Sequence, residues 1–258
     1  METELTETPI ILRFDPDHLS LVAEHEDPRY AALLHAALGD ARSVVNVWAG
    51  TGAYEPADRR VIAIEPRELL ASRRPPERAP AIRASPAALP LHDSSVDAAM
   101  AVRSVHEWGA ACEAGVREMR RVASGPVVIL TLDPAVSSQM WLAADYLPLL
   151  AELNGEIYPA IEDVSAWLGG SVTVDTVPVP RNSTDWPLSS MWARPEKMCE
   201  ADARGHSRSL AALPGEALER GLAKLRRDLA DGTWDRRYGH LRALYEYDVG
   251  LRLIVGLP

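Results

Sequence analysis

The segment Val44-Val45-Asn46-Val47-Trp48-Ala49-Gly50-Thr51-Gly52 constrains the fold of this chain more than any other. A β-branched apolar run feeds straight into a glycine-rich turn. The first strand of a doubly wound α/β sheet delivers backbone N–H groups to a nucleotide-type ligand in this way. The spacing fits D/N-x-G-x-G-x-G with one departure, because the first glycine position holds Trp48. Glycine serves there because the backbone approaches a ligand closely and can require dihedral angles closed to other residues. An indole at that point is expected to project toward the ligand's place.

The flanking pattern is that of an alternating α/β chain. A helix is predicted over Arg29–Leu38, started by Asp27-Pro28 and stopped by Gly39. Strands are predicted at Ser43–Trp48, Arg60–Glu65, Ala81–Ala84, Val96–Val102 and Val127–Leu132, with helices over Glu68–Arg73 and Cys112–Val122. Only Ala53–Arg59 separates the first two strands, which is short for a full crossover helix. Near-continuous apolar strands alternating with helices imply a parallel sheet covered on both faces. The second half carries a helical pattern over Ser137–Leu153, a short helix Ile161–Leu168 and an alternating strand Ser171–Val179. An amphipathic helix over Pro214–Leu229 and a last strand over Tyr247–Val255 follow. Residues 181–215, rich in Trp, Pro, Ser and Met, read as the start of a helical cap spanning about 181–240 within one domain of residues 1–258.

Composition narrows the function classes. The chain is 47% hydrophobic and 25% charged, which is globular composition, and no apolar run is long enough for a membrane span. The acidic start Met1-Glu2-Thr3-Glu4 lacks the basic, then apolar, pattern of a secretory signal. Cys112 and Cys199 are too few and too far apart for a disulfide framework or a zinc site, so a cytoplasmic setting is expected. A formal charge of −10 argues against a nucleic-acid partner, which needs clustered Lys and Arg. Pairs such as Arg73-Arg74 are expected on solvated helix faces. The histidines are dispersed and no metal site is expected. A small-molecule ligand is the remaining class.

In an open parallel sheet, ligands bind beyond the carboxyl ends of the strands where the strand order reverses. Asn46–Gly52, Glu65-Pro66, Ser85–Pro90 and Arg103–Trp108 all end at that edge. Glu65 falls at the distance from the glycine loop at which an acid grips ribose hydroxyls. Taken in order, Asn46-Val-Trp-Ala-Gly-Thr-Gly52, Val61-Ile-Ala-Ile-Glu65-Pro66, Ala84-Ser-Pro-Ala-Ala-Leu-Pro90, Ser95-Val-Asp-Ala98, Ser104-Val-His-Glu-Trp108 and Arg117-Glu-Met-Arg-Arg-Val122 resemble the class I S-adenosylmethionine (SAM)-dependent methyltransferases. The similarity is to the small-molecule type related to ubiquinone and sterol methyltransferases and covers roughly residues 40–135. It implies a Rossmann-like seven-stranded sheet with the last strand antiparallel.

The same resemblance implies that Asn46, Trp48, Ala49, Gly50 and Gly52 line the cofactor, that Glu65 and Pro66 meet the ribose, and that Ser85 and Pro86 meet the adenine. Ser85 replaces the usual Asp there. Arg103 and His106 would face cofactor and substrate together, with His106 as general acid/base. Glu107 would orient it or act as the base, and Asp133 sits at the same edge with a bland alternative as a helix cap. Many relatives carry a Tyr and an Arg before the first helix to hold the methionine carboxylate. The region His18–Glu26 offers His18, Glu24, His25 and Glu26 instead. The ribose end is thus expected to be kept and the methionine end refilled.

Two orientations of Trp48 stay open: rotated into the helix layer, or occupying cofactor space. Trp141, Tyr146, Trp186 and Trp192 are candidates for a substrate pocket or plain core, and Asp235, Tyr238 and His240 for a cleft or an ordinary turn. The function expected is methyl transfer from SAM to an O, N or C nucleophile of a small, partly apolar metabolite. The alternative is a methyltransferase-fold protein that has lost methyl transfer and catalyses a cyclisation or elimination, or only binds. A nicotinamide dehydrogenase matches the later motifs less well.

Overall fold

The computed structural model describes residues 26–183, 188–204 and 207–258. The chain divides into two compact units, one built on Glu24–Asp133, Tyr158–Pro178 and Gly250–Pro258 and the other on Pro134–Ile157 and Val179–Val249. In the first, α1 (Pro28–Ala37) opens with Asp27 as N-cap, whose carboxylate accepts from the Arg29 N–H, and with Pro28 in the first turn. The strands β1 (Ser43–Val47), β2 (Arg60–Ile64), β3 (Ala81–Ile82), β4 (Ala98–Val102), β5 (Val127–Leu132) and β6 (Ser171–Thr176) follow. The other unit holds a separate antiparallel pair, β7 (Val179–Pro180) with β8 (Glu246–Tyr247). The last strand, β9 (Leu251–Leu257), returns to the main sheet.

That sheet has the order β3-β2-β1-β4-β5-β9-β6. Pairings among β1 to β5 are parallel, and β9 runs antiparallel to both neighbours. The expected seven strands with an antiparallel last strand are present. The strand order reverses between β1 and β4, which fixes the switch point. On one face, Val45, Val47, Ala99, Ala101, Val127 and Ile129 pack with Val116, Met119 and Val122 of α3 (Cys112–Val122, following α2 at Glu68–Ser72). The alternate residues Val44, Ala98, Met100 and Val128 are also buried, so both faces are covered, as continuous apolar strands require.

Several boundaries differ from the sequence reading. Residues 48–59 form turns without a helix, so the first crossover is shorter than an abbreviated helix. Val96 makes only an isolated bridge to Ala123, and β4 starts at Ala98. The strand expected over Ser171–Val179 ends at Thr176. The last strand begins at Leu251, after Gly250 takes a left-handed conformation at φ 97°.

The second unit is largely helical. The predicted helix over Ser137–Leu153 is broken into Pro134–Ser137, a π-turn at Leu142–Tyr146 and Pro148–Ile157, the second break falling where Pro148 cannot continue the ladder. Trp141, Tyr146 and Trp192 are buried there. The Trp141 indole donates to the Trp192 carbonyl and the Trp192 indole to that of Val179, so these rings are core rather than pocket lining. Trp186 lies outside the described residues. Tyr238 donates to Asp145 and Asp235 pairs with Arg242. Among the described residues no helix is long and apolar enough to cross a membrane, and no group of His, Cys, Asp and Glu is arranged to hold a metal ion.

Candidate functional site

The glycine-rich turn leaves β1 with Trp48 at φ 64°, Gly50 at 53° and Gly52 at 98°. The first glycine position therefore does take the left-handed conformation, and Trp48 holds it at a strain of about 1–3 kcal/mol. The turn is pinned by the Ala49 N–H to the Ile64 carbonyl at 2.8 Å and the Gly52 N–H to Ala49 at 2.9 Å. The indole is turned along the carboxyl rim of the sheet. Its Nε1–H donates to Glu107 Oε2 at 2.9 Å, and the Arg67 guanidinium carbon lies 5.1 Å from the ring centroid. Trp48 also packs against the core cluster.

Arg67 is the residue the sequence reading missed. It follows Glu65-Pro66 at the end of β2 and folds back onto the acid. Glu65 is fully buried at 0% exposure. Its Oε1 accepts from the Arg67 N–H at 2.9 Å and Nε at 2.8 Å, and its Oε2 from the Gly50 N–H at 2.7 Å and Arg67 Nη2 at 3.2 Å. The remaining guanidinium nitrogen, Nη1, donates to Glu107 Oε2. Burial works against the Arg67 charge. The hydrogen bond to Glu65 and the charges of Glu107 and Glu65 outweigh it and hold the guanidinium pKa above its ordinary value. The signal in sequence was an arginine two positions after a buried acid, with a second acid at the end of β4.

A second buried network sits beneath the turn. Asn46 Nδ2 donates to Glu55 Oε1 at 3.0 Å, and Arg74 Nη2 bonds both Glu55 oxygens at 2.9 and 2.7 Å. Arg74 Nη1 donates to the Gly50 carbonyl at 3.1 Å. The Arg74 side chain is 3% exposed, which corrects its expected place on a solvated face. A Cβ on Gly52 would stand 3.0 Å from Glu55 Oε2 and 3.2 Å from Arg74 Nη1. The close approach that demands glycine at 52 is thus to an internal ion pair. Tyr54, also at φ 64°, is buried, and its hydroxyl accepts from the Asp27 N–H at 3.0 Å.

The other expected site residues surround this rim. Pro66 is half-buried beside Glu65. Ser85 is exposed and its hydroxyl accepts from the Ala87 N–H, while Pro86 is buried near Gly115. Arg103, at φ 52°, lies with its guanidinium 6.0 Å from the Tyr54 ring. His106 stacks on Tyr158 at 4.4 Å between centroids, and its Nε2 is 4.0 Å from Glu107 Oε1. Glu107 Oε2 accepts from the Trp48 indole and from Arg67 Nη1, which anchors the carboxylate. Asp133 faces Arg252 at 3.6 Å, on the antiparallel neighbour β9. His18, Glu24 and His25 lie outside the described residues.

A carboxylate has about four lone-pair directions, and Glu65 uses all four on protein donors. A ribose diol needs the same two oxygens. In this arrangement a ribose diol would have to displace the Arg67 side chain from Glu65. The helix that would turn its positive end to the loop is also missing from residues 48–59.

No protein-family model matches the chain, and no curated protein matches it in sequence. Among solved structures it is similar to a protein of Anabaena variabilis assigned as a methyltransferase from an antibiotic biosynthesis pathway. The two are 28% identical over 89% of this chain and 97% of that one, with a TM-score of 0.78. A SAM-dependent methyltransferase from Archaeoglobus fulgidus shares the fold at 9% identity, covering 90% of this chain and 94% of that one, with a TM-score of 0.51. The 4+2 cyclase SpnF shares it at 15% identity, covering 96% and 91%, with a TM-score of 0.52.

Proposed function

We propose that this chain is an enzyme of the class I SAM-dependent methyltransferase type, transferring a methyl group from SAM to an O, N or C nucleophile of a small, partly apolar metabolite. The likeness to the Anabaena variabilis protein, 28% identical and nearly end to end, carries this reading. The glycine turn and His106 at the carboxyl rim of β1 and β4 support it. In this reading His106, held by Tyr158, takes the proton a substrate nucleophile loses, and Arg103 faces the substrate. Positioning of the two reactants supplies most of the acceleration. The test is isothermal titration with S-adenosylhomocysteine. Heat of binding well below about 1 mM supports the reading, and silence at that concentration counts against it.

The saturated Glu65 favours a second reading, in which the fold is kept and methyl transfer is lost. The cleft would then serve a cyclisation, an elimination or binding alone. That the 4+2 cyclase SpnF has this fold is compatible with it. Incubation with methyl-labelled SAM and candidate acceptors separates the two: label transfer removes the second reading.

A further inference from the structure

We propose that Arg67 is a built-in bolt on the nucleoside side of the cleft, and that its position decides how tightly an adenosyl ligand binds. Trp48 follows β1, Arg67 follows β2 and Glu107 lies just after β4, so the three side chains bridge the ends of the strands that flank the switch point. A ligand in such a sheet lies across that line. Arg67 grips Glu65 through Nε and Nη2 and Glu107 through Nη1, under the face of the Trp48 indole. Glu65 cannot hold this fork and a ribose diol at once, since both use the same lone pairs. The guanidinium is on a long, flexible stem and is 13% exposed, so it can swing out without moving the sheet. Glu107 opposes that swing, and the Trp48 N–H keeps Glu107 in place. Trp48 thus acts on the nucleoside side through Glu107 and Arg67.

The inference rests on the reading that the ligand is SAM, and two probes separate the failure of one from the failure of the other. Adenosine tests the nucleoside side alone, and S-adenosylhomocysteine tests both sides. Titrations compare the parent, Arg67→Ser, Glu107→Gln and the double variant Trp48→Gly/Arg67→Ser, each checked for folding by circular dichroism. Arg67→Ser should tighten both ligands by about tenfold or more. Glu107→Gln, which loosens the fork while leaving the Glu65 pair, should act in the same direction and less. If the parent binds S-adenosylhomocysteine and neither single variant binds tighter, the bolt is wrong and the SAM reading stands. If neither the parent nor any variant binds either probe, both are wrong. Should Arg67→Ser fail to fold, Glu107→Gln and a crystal of the parent with S-adenosylhomocysteine decide. Arg67 displaced from Glu65 supports the bolt, and a bound ligand with all four Glu65 hydrogen bonds intact overturns it.

Discussion

At the scale of single residues, the site is written by side chains that satisfy one another. Trp48 stands in a glycine conformation, and its indole compensates through packing, the Glu107 hydrogen bond and the Arg67 face contact. Trp48→Gly relieves the left-handed strain of about 1–3 kcal/mol. Losing a half-buried indole and the Glu107 donor costs more than that, so the variant should be less stable by about 1 kcal/mol or more. A urea titration reads this, and a variant more stable than the parent would show that the indole is a burden in its place. That position 48 departs from the glycine pattern was legible in the sequence. That its indole reaches Glu107 was not, because the two residues are 59 positions apart and meet only when β1 and β4 pair. Glu55 and Arg74 escaped notice for the same reason, since buried ion pairs between distant residues leave no local pattern.

At the scale of elements, close approaches decide what helices and strand ends tolerate. Gly221 lies inside the helix Gly215–Ala230, where alanine normally stabilises by about 1 kcal/mol. A Cβ there would come within 2.3 Å of the Tyr146 carbonyl, at the π-turn, and 2.4 Å of the Leu147 side chain. Gly221→Ala should therefore destabilise by about 1–3 kcal/mol, as overpacking does, with the sign opposite to helix propensity. Thermal denaturation of the pair of proteins checks the sign. At the start of the sheet, the Asp97 carboxylate accepts from the Ser43 N–H at 2.8 Å, the Ser43 hydroxyl at 3.0 Å and the Arg42 N–H at 2.9 Å, tying β1 to the approach to β4. The Ser43 backbone and hydroxyl bonds and the Arg42 N–H hold its pKa below the ordinary value, against a smaller effect of burial. The stability this adds is fully present above the unfolded pKa of about 3.9 and is lost as pH falls through the lower folded value. The stability difference between parent and Asp97→Asn should accordingly be constant from neutral pH down to about 4 and shrink below it. A difference independent of pH would show that the hydrogen bonds, and not the charge, carry the effect.

For the molecule as a whole, charge sets the partners that a cleft of this kind can draw. At a formal charge of −10, duplex DNA should not be retained even at low salt. Fluorescence anisotropy with labelled duplex should stay flat across a salt series, and a steep salt dependence would mean a basic face hidden by the net figure. The sequence alone determined the fold class. Strand periodicity, the turn after β1 and the order of the motifs depend on local spacing, which any stretch of chain carries within itself. It also pointed to the ends of β1, β2 and β4, which the sheet order brings side by side. Only the tertiary structure decided which side chains pair at those ends. Whether Glu65 faces a ribose or Arg67, and whether Trp48 points inward or along the rim, depends on hydrogen-bond capacity shared among residues that the chain brings together from β1, β2 and β4. That competition is settled by three-dimensional proximity in a buried setting, where each carboxylate oxygen must find a donor.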